Sequence, residues 1–394
     1  LGLRADVTVH LAFQWGISSL FGWGVYGLNL ALHGRADGRA ITTLCNFNPA
    51  QLGIDKARLW ALRDFIDNSN RILPQLRGPG VIKAPDALVL HALGNNLIYA
   101  AKGANDTVVM GRRTIGVVFF EDSRMDAAAV EKGRAYDRLV AGSQWNAKLL
   151  RDTGFDKVSV VLQGVDPTLF HPAPRAGLFR GRFAIFSGGK LEFRKGQDIV
   201  LRAYRQFRQR HPDALLVTAW HSPWSANLAG SMAGVGGLAP VPVTAQGQID
   251  VLGWAQANGL PVDSVVDLGS MPNAMMPQVL REVDVAVFPN RCEGGTNLVA
   301  MEAMACGLPV VLADNTGQKD IIRPGCGYVL TNQRPVGQPG CEDWGDSDPE
   351  ELVARLEEVY ANREEALRRG KAAADFMSGL TWANSIGNLL REIG

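Results

Sequence analysis

Along the whole chain, apolar runs of strand length alternate with stretches whose apolar positions recur at helical spacing, the pattern of parallel sheets covered by helices. The first half predicts strands over Val7–Phe13, Ile41–Phe47, Ala87–His91, Ile115–Phe120, Leu139–Gly142 and Val158–Leu162, with helices between them. The alternation restarts with Phe183–Ser187, Leu215–Trp220, Val265–Leu268, Val283–Phe288, Val310–Ala313 and Tyr328–Leu330. The fold class is therefore α/β, built from two doubly wound parallel sheets. Between the halves, residues 170–182 follow neither period and hold two prolines and two glycines, as an interdomain connection does. The boundary is set there, giving domains 1–175 and 176–379. The tail from Pro349 to Ile393 predicts helix broken at Gly379, so that 380–394 turns back to complete the first domain. Residues 221–250, rich in Gly, Ala, Pro and Ser, lack a clear period and imply an ordered insertion or a mobile flap.

Two domains also suit 394 residues of ordinary globular composition, 46% hydrophobic and 20% charged. Lys and Arg number 40 against 39 Asp and Glu, which leaves no net field to draw the chain onto nucleic acid or anionic lipid. A small-molecule partner is expected. The five cysteines show neither paired spacing nor a metal-binding pattern, and imply a reducing, cytoplasmic setting. Val7 to Leu32 holds no Asp, Glu, Lys or Arg, yet Gln14, Ser18, Ser19, Asn29 and glycines 16, 22, 24 and 27 interrupt it where a spanning helix would be continuous. Membrane contact is expected to be peripheral at most. The arginines of the helix Lys195 to Arg210 are read as a solvated face.

Open parallel sheets bind ligands beyond the carboxyl ends of their strands, so two in tandem are expected to face one another across a cleft, with the chemistry on strand-to-helix loops. The segment Arg291 to Val311 has that form. Gly294 and Gly295 remove side-chain bulk, Thr296 or Asn297 can cap, and the first-turn amides beginning at Leu298 point at an anion. Gly307 and Pro309 then end the helix. Glu302 is the only charged residue between Asn297 and Pro309. A carboxylate on so apolar a helix is costly to bury without donors, which a ribose diol, a backbone amide or water at an edge would each supply.

This segment resembles the donor-binding motif of the family 4 retaining glycosyltransferases, which have two facing Rossmann-like domains in the arrangement called GT-B. In that family a Glu, seven residues and a second Glu precede a run like Ala303 to Pro309. The resemblance implies that Glu302 grips the donor ribose. Eight residues separate Glu293 from Glu302, with Gly294 at the family spacing, so either the loop bulges and Glu293 still meets the sugar hydroxyls, or that contact is lost. Ser187 to Leu191, followed by Lys195 and Gly196, resembles the family loop in which two basic residues neutralise the donor diphosphate. Gly189, Lys190 and Lys195 are implied donor contacts, the two lysines stabilising charge on the leaving nucleoside diphosphate. The strand followed by Gly16 to Gly27 resembles the family's glycine-rich loop, with Gly22 and Gly24 leaving room for phosphate or acceptor. Where many members have a His, this chain has Phe120, Glu121 and Asp122; either carboxylate can serve the reacting sugar, or cap the following helix. His91 ends another strand and is a candidate acceptor contact or a structural histidine.

No paired-carboxylate constellation stands where a divalent ion would bridge a diphosphate, so no metal or cofactor is expected. The function implied is transfer of a sugar from a nucleoside-diphosphate sugar to an unidentified acceptor, with retention. The alternatives are a sugar-nucleotide epimerase of the same fold and a catalytically silent sugar-nucleotide-binding or scaffold module.

Overall fold

In the computed structural model, residues 11–35 and 40–394 are described, so residues 7–10 of the first expected strand lie outside the described residues. The chain divides into two compact units: Leu1–Gly164 with Pro272–Ala274 and Leu380–Gly394, and Val165–Met271 with Met275–Gly379. The passage between them falls ahead of the proline-bearing stretch because that stretch is already tied into the second unit. Arg281 donates to the carbonyls of Leu169 and His171, and Arg175 pairs with Asp284 at 2.9 Å.

The first unit holds β1 (Leu11–Gln14), β2 (Ile41–Thr43), β3 (Gly80–Leu93), β4 (Thr107–Val118), β5 (Arg138–Ala141) and β6 (Val158–Val160), in the order β2-β1-β3-β4-β5-β6. Every pairing is parallel. In the second unit β7 (Phe183–Gly188), β8 (Ala214–Ala219), β9 (Val265–Asp267), β10 (Val285–Phe288), β11 (Val310–Ala313) and β12 (Tyr328–Leu330) lie in the order β12-β11-β10-β7-β8-β9, again all parallel. Both are Rossmann-like sheets. Apart from the early parts of β3 and β4, their strands are largely buried on both faces, which is why they are written as apolar runs.

The order of strands reverses between β1 and β3 in the first unit, and between β7 and β10 in the second. At such a reversal neighbouring loops leave in opposite directions and open a crevice, the place where parallel sheets take ligands.

The insertion 221–250 is packed rather than a mobile flap: Met232 and Leu238 enter the second unit's core, and Ala239 accepts from the Trp254 indole at 2.7 Å. The tail breaks once more than expected, at Asn362, which leaves one helix (Pro349–Ala361) and caps the next (Arg363–Met377) by accepting from the Glu365 amide. The final helix, Trp382–Ile393, belongs to the first unit, where Trp382 lies against Tyr26. Among the described residues no helix is long and apolar enough to cross a membrane.

Candidate functional site

At the reversal in the second unit, the loops after β7 and β10 are built into one another. Gly196 has φ +70° and no room for a side chain, since a Cβ there would lie 2.3 Å from the Pro289 carbonyl at the end of β10. Only glycine serves both demands. Gln197, fully buried, donates to the carbonyls of Gly189 and Lys190 and so braces the loop that holds the first lysine. Gly189, at φ +110°, has the Lys195 side chain alongside it.

Lys195 and Glu293 meet at this junction, with Nζ 2.6 Å from Oε1. The other Glu293 oxygen lies 3.0 Å from Arg194 Nη1, and Asn290 donates its amide to Oε1. The backbone is held as well, Glu293 N donating to Thr316 Oγ1 at 2.8 Å and Gly317 N to the Glu293 carbonyl at 3.0 Å. Burial pushes the Glu293 carboxyl up, but the Lys195 and then the Arg194 cation outweigh it and hold the carboxyl below its ordinary range. Arg194 also pairs with Glu192 at 2.6 Å, and Glu192 reaches Lys190 at 3.3 Å. Lys190 is the most open member, its side chain 37% exposed against 11% for Lys195.

Thus Lys190, Lys195 and Glu293 come together, and Arg194, Glu192 and Asn290 join them. Arg194 lies outside the motif formed by the two lysines five residues apart. The available signal was the alternation of sign in Glu192-Phe193-Arg194-Lys195. Beneath the site, Arg291 is sealed between the two Asp198 oxygens, both at 2.7 Å, and Asp346 at 2.6 Å, with its guanidinium over the Phe193 ring.

The helix Leu298–Ala305 follows this loop through Gly294, Gly295, Thr296 and Asn297. Asn297 takes the left-handed conformation, φ +63°, and its side-chain oxygen accepts from Ala300 N while its amide donates to Gln318 Oε1 at 2.7 Å. It is therefore Asn297 that caps. The Thr296 hydroxyl is buried against Met301. The positive φ falls at Asn297, not at Gly294 or Gly295. Glu302 is buried on the second turn, 4% exposed. Val299, one turn earlier on the same face, presses on the end of β7, where a Cβ on Gly188 would lie 2.8 Å from its methyl.

In the first unit the loop after β1 enters the helix Gly22–His33 at Phe21, whose side chain has no capping acceptor. A Cβ on Gly22 would meet nothing within 4 Å. At Gly24 a Cβ would strike Ser18, so this glycine closes the loop onto the helix. His91 is corrected to a structural role. It is wholly buried, with Nδ1 2.9 Å from the Tyr136 hydroxyl and Nε2 2.8 Å from the Val109 carbonyl, and so offers no nitrogen to an acceptor. Glu121 and Asp122 do not cap the following helix, since Asp126 does so by accepting from Ala129 N at 2.7 Å. Their own amides donate to Asn95 Oδ1, which fixes the turn after β4.

Residues 182–362, which contain the whole second sheet, match the family model described as glycosyl transferases group 1. The chain is 27% identical over 265 residues to a D-inositol 3-phosphate glycosyltransferase of Nocardia farcinica, covering 65% of this chain and 52% of that protein. It is 29% identical over 251 residues to the protein of the same name from Acidothermus cellulolyticus, covering 61% and 50%. The chain thus spans about half the length of the curated relatives it matches. Sucrose-phosphate synthase from Thermosynechococcus elongatus superimposes with a TM-score of 0.64 at 16% identity, over 98% of both chains. HepE of Anabaena in complex with UDP-glucose gives 0.62 at 16% identity, over 97% of this chain and 98% of that one. Both likenesses establish the fold, the GT-B type of two Rossmann-like domains.

Proposed function

We propose that the chain is a retaining glycosyltransferase of family 4 type that moves a sugar from a nucleoside-diphosphate sugar to an acceptor. The observation that carries this reading is the cationic cluster Lys190, Arg194 and Lys195 gathered with Glu293 at the strand-order reversal of the second sheet. An ammonium has three donors, so Lys195 can hold Glu293 with one and still serve a phosphate oxygen with the others. The group 1 model matched by residues 182–362 and the UDP-glucose complex of HepE support a nucleotide-sugar donor.

In the proposed reaction the bond between the anomeric carbon and the phosphate oxygen breaks as the acceptor oxygen bonds to that carbon. The acceptor's proton passes to the leaving nucleoside diphosphate. Charge accumulates on the phosphate in the transition state, and cations fixed in a dry site stabilise that state more than the ground state. Lys190, Lys195 and Arg194 perform this neutralisation in place of a divalent ion. Glu302 holds the ribose diol, and Glu293 accepts from a sugar hydroxyl. D-inositol 3-phosphate, named in the relatives, is the first acceptor to assay.

Calorimetry with UDP- and GDP-sugars, together with release of nucleoside diphosphate, tests the reading. Lys195→Ala and Glu302→Ala are each expected to weaken donor binding about 10- to 100-fold, the range of a lost charge-assisted hydrogen bond. Failure of every nucleotide sugar to bind or turn over refutes it.

A further inference from the structure

The second sheet carries a pair of side chains that the donor reading leaves unused. Beyond β8, His221 Nε2 stands 2.8 Å from Asp267 Oδ2 at the end of β9, with the two side chains 11% and 15% exposed. The other Asp267 oxygen accepts from Thr218 Oγ1 at 3.1 Å and from Gly269 N at 3.3 Å. A carboxylate so engaged is an acceptor only, so Nε2 must donate and the neutral ring keeps its lone pair on Nδ1. Nδ1 makes no hydrogen bond among the described residues.

The ring is placed next to the phosphate loop. His221 follows Trp220, whose carbonyl accepts from Leu191 N at 2.9 Å, and the Ala219 carbonyl accepts from Gly189 N at 3.1 Å. The order β10-β7-β8-β9 therefore sets three groups in a row: Glu293 after β10, Lys190 and Lys195 after β7, and the His221–Asp267 pair after β8 and β9. Three strand spacings make this row about 14 Å long. A nucleoside-diphosphate sugar is a row of the same kind, namely sugar, diphosphate and nucleoside. With the sugar at the β10 loop and the diphosphate at the β7 loop, its base falls over β8 and β9.

We propose that His221 recognises the nucleobase of the donor, accepting a hydrogen bond from a base N–H on Nδ1, and that Asp267 is the positioning residue that fixes the tautomer. The assignment rests on the donor reading above. In Asp267→Asn the carboxamide oxygen stays with its two donors, Thr218 and Gly269, and turns its NH₂ to Nε2. The ring proton then moves to Nδ1, and an acceptor becomes a donor.

The test is calorimetry of the whole chain with UDP, GDP, ADP and thymidine diphosphate, and with inorganic pyrophosphate as a base-free probe. The wild type is expected to prefer one base. His221→Ala should lower that affinity about 3- to 10-fold and level the preference, Asp267→Asn should level it as well, and pyrophosphate affinity should hold in both, which also shows that they fold. Equal affinity of the wild type for all four bases, or a preference that survives both substitutions, overturns the assignment and leaves the donor reading standing. Absence of binding by any of the four nucleotides sinks the donor reading itself, and the assignment with it.

Discussion

Replacing Glu293 by Gln separates what this carboxylate does for the fold from what it does to a ligand. Its oxygens take Lys195 at 2.6 Å and Arg194 at 3.0 Å, together with the Asn290 amide. A Gln side chain must turn its NH₂ towards one of these donors, whichever way it flips, and it leaves Lys195 buried without its hydrogen-bonded carboxylate. Removing one partner of a buried pair costs about 3–5 kcal/mol, and the lower figure applies because Arg194 keeps Glu192 at 2.6 Å and the Cys292 carbonyl at 2.9 Å. The ligand feels the opposite sign. A negative charge removed roughly 6 Å from a phosphate is worth on the order of 1–3 kcal/mol at an effective dielectric of about 20, so UDP should bind about tenfold more tightly while sugar transfer falls. Urea unfolding at pH 7 reads the first effect and calorimetry the second. The stability contribution should also be flat from neutral pH down to the ordinary carboxylate range. The cations hold the folded pKa below its unfolded value of 4.5, so the stabilisation is complete above that value and is lost as pH falls through the lower, folded one. Unchanged stability in Glu293→Gln, or weaker UDP binding, would refute the reasoning.

His91 supplies a second pH signature, since burial, with a smaller push from Lys132 and against the Val109 hydrogen bond, brings its pKa down from 6.5 to about 4. Below pH 6.5 the unfolded chain takes up a proton that the folded chain refuses, so wild-type stability should drop by about 3 kcal/mol on the way to pH 4, at about 1.36 kcal/mol per unit. Denaturation at pH 7 and pH 4.5 checks this against His91→Asn, whose decline should be shallower; an equal decline counts against it. Gly370→Ala should destabilise by about 1–3 kcal/mol and weaken donor binding, because its Cβ would lie 2.2 Å from the Gly307 carbonyl at the end of the Glu302 helix. Gly387→Ala, where only the tip of Arg391 comes within 4 Å, should be neutral or stabilising in the same thermal melts.

Hydrophobic pattern located each of the twelve strands of the two sheets, Val310–Ala313 and Tyr328–Leu330 to the residue, because strands buried on both faces leave continuous apolar runs. It did not reveal that β3 begins at Gly80 and β4 at Thr107. That early portion of the pair includes exposed or half-exposed positions such as Lys83 and Met110, and only a few of its residues, among them Ala84 and Val109, enter a core, so no continuous apolar run marks it. The cationic loop and the Glu302 helix were visible as motifs since their residues are close in sequence. Arg194 with Glu293 and His221 with Asp267 were not, being joined only when separate strands end side by side. The fate of His91 was equally hidden, because a strand covered on both faces gives no alternation from which its direction can be read.

Two charged networks lie at the β7–β10 reversal, and they differ in their balance of charge. Arg291 and Arg202 face Asp198 and Asp346, two cations against two carboxylates, and Arg291 and Asp198 are sealed from solvent. With its charges cancelled inside the protein, that network has nothing left for an anion, and its work is to lock the β10 loop onto the helix Gln197–Arg210. In the upper network Lys190, Arg194 and Lys195 face Glu192 and Glu293, three cations against two carboxylates, a surplus of one positive charge. The surplus opens to solvent at Lys190 and is backed by Gly189, whose missing side chain lets an oxygen approach Lys195. Under the proposed function, a diphosphate bearing two or more negative charges would more than cancel that surplus on binding. On that reading, as the glycosidic oxygen left and added further charge, the cations would already stand in place, and this prior placement would lower the barrier.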